Sequence, residues 1–134
     1  MKRDIETRAD IHRIVTEFYQ KMLADERVAF LFTDVARIDV PEHVEKVTGF
    51  WNDVLFAAGD YHGNPMQVHW LLNGQSPLQH THFDLWLQYF TQTIAALFEG
   101  DNAARMQQRA LSIATMMRVK MLTQPLNKQD NTAR

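Results

Sequence analysis

Six histidines and no cysteine set what chemistry this chain can attempt. His69 is the most constrained of the six. It lies in the short apolar run Met66-Gln67-Val68-His69-Trp70-Leu71-Leu72. Gly63, Asn64 and Pro65 break the chain before that run, and Asn73, Gly74 and Pro77 break it after. A histidine in so clipped a helical piece has little rotational freedom and little water around it. Those conditions favour a fixed, neutral imidazole, the commonest metal ligand among side chains. The competing reading is a partly buried histidine bonded to a backbone carbonyl, because buried polar groups are nearly always paired locally.

The other five histidines sort less sharply. His12 follows Ile11 at a helix start and is expected at the surface, and His62 adjoins Tyr61 in a loop and is expected to be solvated. His80 and His82 flank Thr81. Histidines two apart converge on a strand but not on a helix, so that pair makes a poor metal site. His43 falls on the same broad side of a helical pattern as Val47 and Phe50. No H-E-x-x-H spacing is present. No serine sits in a nucleophile elbow and no glycine-rich phosphate loop exists. Asp53 and Asp60 take exposed or terminal positions, so paired catalytic carboxylates are not evident. The lack of cysteine excludes disulfides, thiolate catalysis, iron–sulfur clusters and cysteine-type zinc sites.

The elements that must position these residues are helical. Ile11, Ile14, Val15, Phe18 and Met22 recur at helical spacing over Thr7 to Leu23, with Tyr19 along the edge of that face. Thr7 or Asp10 is the expected cap. A shorter apolar turn runs from Val28 to Phe32, closed by Thr33 and Asp34. Asp39-Val40-Pro41-Glu42 reads as a helix start with a capping-box spacing. The helix continues to about Ala57 through Val44, Val47, Phe50, Trp51, Val54 and Leu55. After the His69 run and the turn Asn73-Gly74-Gln75-Ser76-Pro77, a long helix spans roughly Leu78 to Glu99. Its stripe is Phe83, Trp86, Phe90, Ile94 and Leu97. A last helix, capped by Asp101 or Asn102, reaches about Leu122 through Met106, Ala110, Ile113, Ala114, Met117 and Met121. Residues 1 to 6 are polar and expected to be loose. No strand alternation, repeat or low-complexity stretch is found, so the fold class is all-α, a bundle or a globin-like layered fold.

With 134 residues, 46% hydrophobic and 22% charged, the chain is one domain of ordinary globular balance. We expect a single domain over 1–122 and a flexible polar tail over 123–134. The net charge of -2, with no run of like charge, argues against nucleic acid and against a polybasic membrane contact. No apolar run approaches about 18 residues, so no membrane span is expected. The N-terminus is too polar for a signal peptide. These features lead to the expectation of a soluble, cytoplasmic protein.

One constellation remains. His69 stands on its clipped segment, while Tyr19, His43, Phe50, Trp51 and Trp86 lie on apolar faces of three other helices. Tyrosine and tryptophan each carry a polar donor that needs a partner when buried. Two such donors at one apolar pocket suit a ligand with a polarised oxygen. Large aromatic and methionine positions are core-filling by default, so a cofactor-free helical interaction domain is the competing reading.

The ordered motifs resemble a family. Phe18-Tyr19-Gln20-Lys21, Gly49-Phe50-Trp51, Gly59-Asp60-Tyr61, Gly63-x-Pro65, the His69 run and Phe83-Asp84-Leu85-Trp86-Leu87 together resemble the truncated haemoglobins, and within them group III. The double-glycine motifs of groups I and II are missing, which fits group III. The resemblance implies a 2-over-2 helical sandwich enclosing a haem. It implies His69 as the proximal ligand to the haem iron, and Tyr19, His43 and Trp86 as distal, ligand-facing residues. Phe18, Val47, Phe50 and Trp51 are implied as apolar pocket or core positions. With no C-x-x-C-H motif, the haem b is expected to be held non-covalently. The implied function is reversible binding of dioxygen and other diatomic ligands. The alternatives are a haem-dependent peroxidase or a nitric-oxide dioxygenase, the latter served by a reductase. One departure is the 73–77 link, lengthened against the family's pattern, which leaves His80 or His82 as a reserve ligand. Gly63-x-Pro65, at the family's distance upstream, favours His69.

Overall fold

The computed structural model describes residues 2–61, 63, 69 and 73–123. Thr123, the first residue of the expected tail over 123–134, is helical; 124–134, His62 and most of the His69 run lie outside the described residues. Five α-helices are described: α1 Arg8–Leu23, α2 Glu26–Phe30, α3 Val40–Phe56, α4 His80–Leu97 and α5 Asp101–Thr123. Residues 73–75 are also helical. No strand occurs among the described residues.

Each boundary has a local cause. Thr7 caps α1, its side chain accepting from the Asp10 N–H, while Asp10 reaches back to the Thr7 backbone in a full capping box. Both candidates thus take part, with Thr7 as the cap. Asp39 accepts from the Glu42 N–H at 3.1 Å, and Pro41 sits in the first turn of α3. Ala57 ends α3 with φ 53, a left-handed conformation. The apolar turn after α1 runs further than Thr33 and Asp34. It passes from α2 into a π-turn over Leu31–Val35, where the Ala36 N–H donates to the Leu31 carbonyl at 2.9 Å.

α1 packs on α3 and α4, α4 packs on α5, and α3 touches α5. This makes two helix pairs, α1 with α3 and α4 with α5, stacked as a two-over-two sandwich. Ile11, Ile14, Val15 and Phe18 fill the middle with Trp51, Phe90, Ile94 and Met106. Fully burying side chains of this size contributes about 1.5–3 kcal/mol each. A second cluster of Leu31, Leu78, Phe83, Met117 and Met121 lies apart from the first.

The N-terminal stretch is not loose. Ile5 is fully buried in the main core. The Asp4 carboxylate accepts from the backbone N–H groups of Asn102 and Ala103, both at 2.9 Å, and so caps α5 from outside the helix. Burial opposes ionisation of Asp4, but these N–H donors outweigh it and hold its pKa below the model-peptide value. Gly100, at φ 149, lies directly against the Asp4 carboxylate, where a Cβ would collide. Arg3 grips Asp10 through two hydrogen bonds of 2.6 and 2.8 Å. The polar residues that made the stretch look solvated are the ones that fasten it.

Candidate functional site

The site is built from the middle of α1. Phe18 and Tyr19 follow one another on its buried face, 1% and 5% exposed. The Tyr19 ring is enclosed edge-on by Phe18 at 4.7 Å, His43 at 5.0 Å and Phe32 at 5.5 Å between centroids. Its hydroxyl meets the His43 Nε2 at 2.9 Å. His43 arrives there because Asp39 starts α3 and fixes its first turn, the His43 N–H donating to the Asp39 carbonyl at 2.8 Å.

The electrostatics of the pair follow from burial. Burial pushes the Tyr19 phenol well above its ordinary pKa, so the hydroxyl keeps its proton. Burial also lowers the His43 pKa, helped by the charges of His69 and Lys46. His43 is therefore neutral near pH 7. His69 itself is helical and half-buried.

Trp86 enters from α4. It is half-buried, stacks on Phe90 at 5.3 Å with an 11° interplanar angle, and meets Phe18 edge-on at 6.1 Å. Among the described residues nothing accepts from its indole N–H. Val47 and Phe50, one and two turns beyond His43, are half-buried against the core. Trp51 is 2% exposed and stacks on the far side of Phe90, so it is a core residue. Phe18 thus joins the two aromatic donors, Tyr19 on one side and Trp86 on the other.

The segment leading to His69 is anchored to α3. The Asp53 carboxylate accepts from the backbone N–H groups of Asp60 at 2.6 Å and Tyr61 at 2.9 Å. Asp60 in turn receives Arg8 from α1 at 2.8 Å. These two aspartates serve the site's architecture rather than its chemistry. Downstream, the 73–77 link is tied as well: the buried Asn73 side chain accepts from the Leu78 N–H at 2.8 Å.

Of the remaining described histidines, His12 and His82 have structural partners. His12 is half-buried and its Nε2 meets Glu45 at 2.9 Å. The His82 Nδ1 accepts from the Gln79 N–H at 3.0 Å and caps α4, while its ring lies on Phe30. His80 is exposed.

Sequence reasoning missed Phe32. It comes to Tyr19 and His43 on the π-turn, and such turns recur at functional sites. The signal was present in Phe30-Leu31-Phe32, but a uniform helical period assigns no face to a residue in a π-turn.

Two stacked helix pairs, α1 with α3 and α4 with α5, with Tyr19, His43 and Trp86 gathered around Phe18 and Phe32, are the layered arrangement of a truncated globin. The bacterial-like globin family model matches residues 4–123, and the chain belongs to that family. It is 26% identical over 118 residues to the group 3 truncated hemoglobin of Campylobacter jejuni, covering 86% of this chain and 91% of that protein. Its fold is similar to the crystal structure of a group III truncated hemoglobin from the same organism. The TM-score is 0.79 at 25% identity, covering 90% of this chain and 95% of the other. The expected group III resemblance and the all-α truncated-globin fold are borne out. Globins as a family hold a haem and bind diatomic ligands such as dioxygen. No helix among the described residues is long and apolar enough to cross a membrane.

Proposed function

We propose that this chain holds a haem b non-covalently through His69 and binds dioxygen reversibly between Tyr19 and Trp86. The observation that carries the reading is the buried Tyr19 hydroxyl, which meets the His43 Nε2 at 2.9 Å. The residues fit the cofactor. Among the described residues no three carboxylate or imidazole groups converge to hold a bare metal ion. A single fixed imidazole therefore suits a metal that arrives with four donors of its own. The half-buried apolar side chains of Phe32, Val47, Phe50 and Trp86 supply a wall for a flat apolar ring.

When bound, the haem supplies an iron with one position open to a diatomic ligand. The chain supplies everything around that position. His69 would hold the cofactor's iron. Tyr19 keeps its phenolic proton at all ordinary pH values and presents it to a polarised ligand. The indole N–H of Trp86 is a second donor. A hydrogen bond to a charged or strongly polarised group is worth about 1.5–3 kcal/mol, or roughly ten- to hundredfold in affinity. Phe18, Phe32 and Phe50 keep water from competing for those donors. His43 shares the Tyr19 hydroxyl and so sets which way its proton points. With the proton on Nε2, His43 donates to Tyr19 and leaves the phenolic proton for the ligand. With Nε2 bare, it accepts the phenolic hydrogen bond itself, in competition with the ligand.

The same donors would polarise hydrogen peroxide entering the pocket, so peroxidase chemistry is the second reading. The deciding experiment is the visible absorption spectrum of the purified chain reconstituted with haem, ferric and then reduced under carbon monoxide. We expect one haem per chain and a Soret band that moves at each step. His69→Ala should lose stable haem retention. A folded chain that takes up no haem sinks the reading, and an unaltered spectrum in His69→Ala moves the iron ligand elsewhere.

A further inference from the structure

Five aromatic rings run in contact from the pocket to the protein's edge. Trp86 stacks on Phe90 at 5.3 Å, and Phe90 stacks on Trp51 at 5.1 Å with a 27° tilt. Phe50 meets Trp51 edge-on at 5.4 Å, and Tyr61 meets Phe50 edge-on at 5.5 Å. The column begins at a half-buried tryptophan in the pocket, passes through a tryptophan 2% exposed, and ends at a half-buried tyrosine. Tyr61 is held in place: its N–H donates to Asp53, and its ring lies against Gly63, where any side chain would strike the hydroxyl.

A merely packed core does not need this order. Tryptophan and tyrosine are the two most easily oxidised aromatic side chains, and phenylalanine is not. The column alternates them: Trp86, a phenylalanine, Trp51, a phenylalanine, Tyr61. Each readily oxidised ring is separated from the next by one ring in contact with both. That is a spacing over which an electron passes readily between aromatic groups. Tryptophan at the start accepts a strongly oxidising equivalent, and the phenol at the end is the better sink because it can release its proton to water.

We propose that the column Trp86–Phe90–Trp51–Phe50–Tyr61 conducts oxidising equivalents from the pocket to the surface, making Tyr61 a second reaction site at which small phenolic reductants are oxidised by peroxide. This rests on the haem reading above, since peroxide must be reduced in the pocket. An electron moves from Tyr61 to Trp51 and onward to Trp86, and the Tyr61 phenolic proton leaves to water. The Tyr61 radical then takes a hydrogen atom from a phenol at the surface. Over a full cycle one hydrogen peroxide and two phenols give two phenoxyl radicals and two waters. The peroxide is the oxidant and the phenol the reductant, so a bulky phenol need never enter the pocket.

The chain contains its own control. Of its three tyrosines, Tyr89 is as half-buried as Tyr61, and its hydroxyl donates to Asp25 at 2.6 Å, a carboxylate able to take its proton. Tyr89 is outside the column, so an oxidant diffusing through solvent has no reason to prefer Tyr61. The experiment uses the haem-loaded full chain, with haem content and the carbon monoxide spectrum recorded first. It is exposed to about one equivalent of hydrogen peroxide without reductant, digested, and mapped by mass spectrometry. Rapid-freeze electron paramagnetic resonance is run in parallel. Oxidation should concentrate at Tyr61 and Trp51, with a tyrosyl signal and dityrosine-linked dimers. Tyr61→Phe should keep the haem and carbon monoxide spectra and lose both the dimers and the tyrosyl signal. It should move the damage back to Trp51 and slow peroxide-driven oxidation of guaiacol severalfold. Trp51→Phe, which preserves the stack, should spare Tyr61. Equal modification of Tyr61 and Tyr89, or Tyr61 oxidation unaffected by Trp51→Phe, overturns the conduit while leaving haem binding intact. Failure to take up haem at the first step overturns the haem reading and the conduit together.

Discussion

Tyr19→Phe tests the pocket with the least disturbance. The substitution keeps the ring and its edge contacts to Phe18, Phe32 and His43, and removes only the hydroxyl. What the hydroxyl contributes depends on its bond to His43 at 2.9 Å. A donor to a polarised ligand is worth about 1.5–3 kcal/mol. Suppose the bare Nε2 of His43 accepts the Tyr19 proton when the pocket is empty. Ligand binding then breaks a neutral hydrogen bond worth about 1 kcal/mol, and the net gain falls to roughly 0.5–2 kcal/mol. Tyr19→Phe should in that case weaken dioxygen affinity about two- to thirtyfold. If His43 instead donates to Tyr19, nothing is given up and the loss is the full ten- to hundredfold, by the same conversion of roughly 1.4 kcal/mol per decade. His43→Leu separates the two cases. The first predicts an affinity raised about two- to tenfold, because an internal competitor is gone. The second predicts no gain. The assay is flash photolysis and stopped-flow mixing on the haem-loaded chain, with carbon monoxide as the weakly polarised control. Carbon monoxide affinity should change much less than dioxygen affinity in every variant. An unchanged or higher dioxygen affinity in Tyr19→Phe would falsify the role of Tyr19 as the ligand's donor.

Two further outcomes follow from the start of α4. Burial lowers the His82 pKa below 6.5, and the neutral Nδ1 caps α4. A histidine whose folded pKa is depressed gives stability that is present above its unfolded value and lost as pH falls through the folded one. Thermal midpoints of the haem-free chain should therefore drop on acidification below pH 6.5. His82→Gln, which can cap without titrating, should flatten part of that slope; an identical slope removes His82 from the transition. Asn73→Ala leaves the buried Leu78 N–H unpaired, at a cost of about 1–3 kcal/mol by chemical denaturation. It should also speed haem loss to an apo-globin scavenger, and wild-type rates of loss would show that the 73–77 link does not steady His69.

Much of the fold was legible because its helices obey one period. The face Ile11, Ile14, Val15, Phe18, Met22 is the face that is buried, and Asp39-Val40-Pro41-Glu42 starts a helix where its capping chemistry says it should. The failures have a common physical form, a partner distant in sequence. Nothing local to α5 reveals that Asp4, 98 residues before Asn102, supplies its cap. Arg3 and Asp4 read as part of a loose polar stretch because their pairing is a property of the folded chain. His80 and His82 looked like a poor metal pair, while the actual role of His82 was local. It stands three residues after Gln79, the position from which a side chain reaches back to a helix start, but histidine is an uncommon choice there.

The site divides along the same line. Resemblance placed Tyr19, His43, His69 and Trp86 in one pocket, yet only the folded chain gives the Tyr19–His43 bond, across 24 residues of sequence. That bond matters because a hydroxyl has one proton and His43 competes for it. Nor could the sequence show how His69 is steadied. Its clipped segment was read from the breakers around it, as though freedom of the backbone were limited by composition. The described residues show two side-chain anchors on either side of it. Upstream, Asp53 on α3 takes the N–H groups of Asp60 and Tyr61. Downstream, Asn73 takes the N–H of Leu78, whose own side chain is buried with Phe83 at the start of α4. The lengthened link between the His69 segment and α4 is therefore tied at its first residue and at the residue that follows it. Extra length between fixed points adds little entropy, since closure cost grows only with the logarithm of loop length. On the proposed reading of His69 as the iron ligand, a longer link held at both ends need not loosen it.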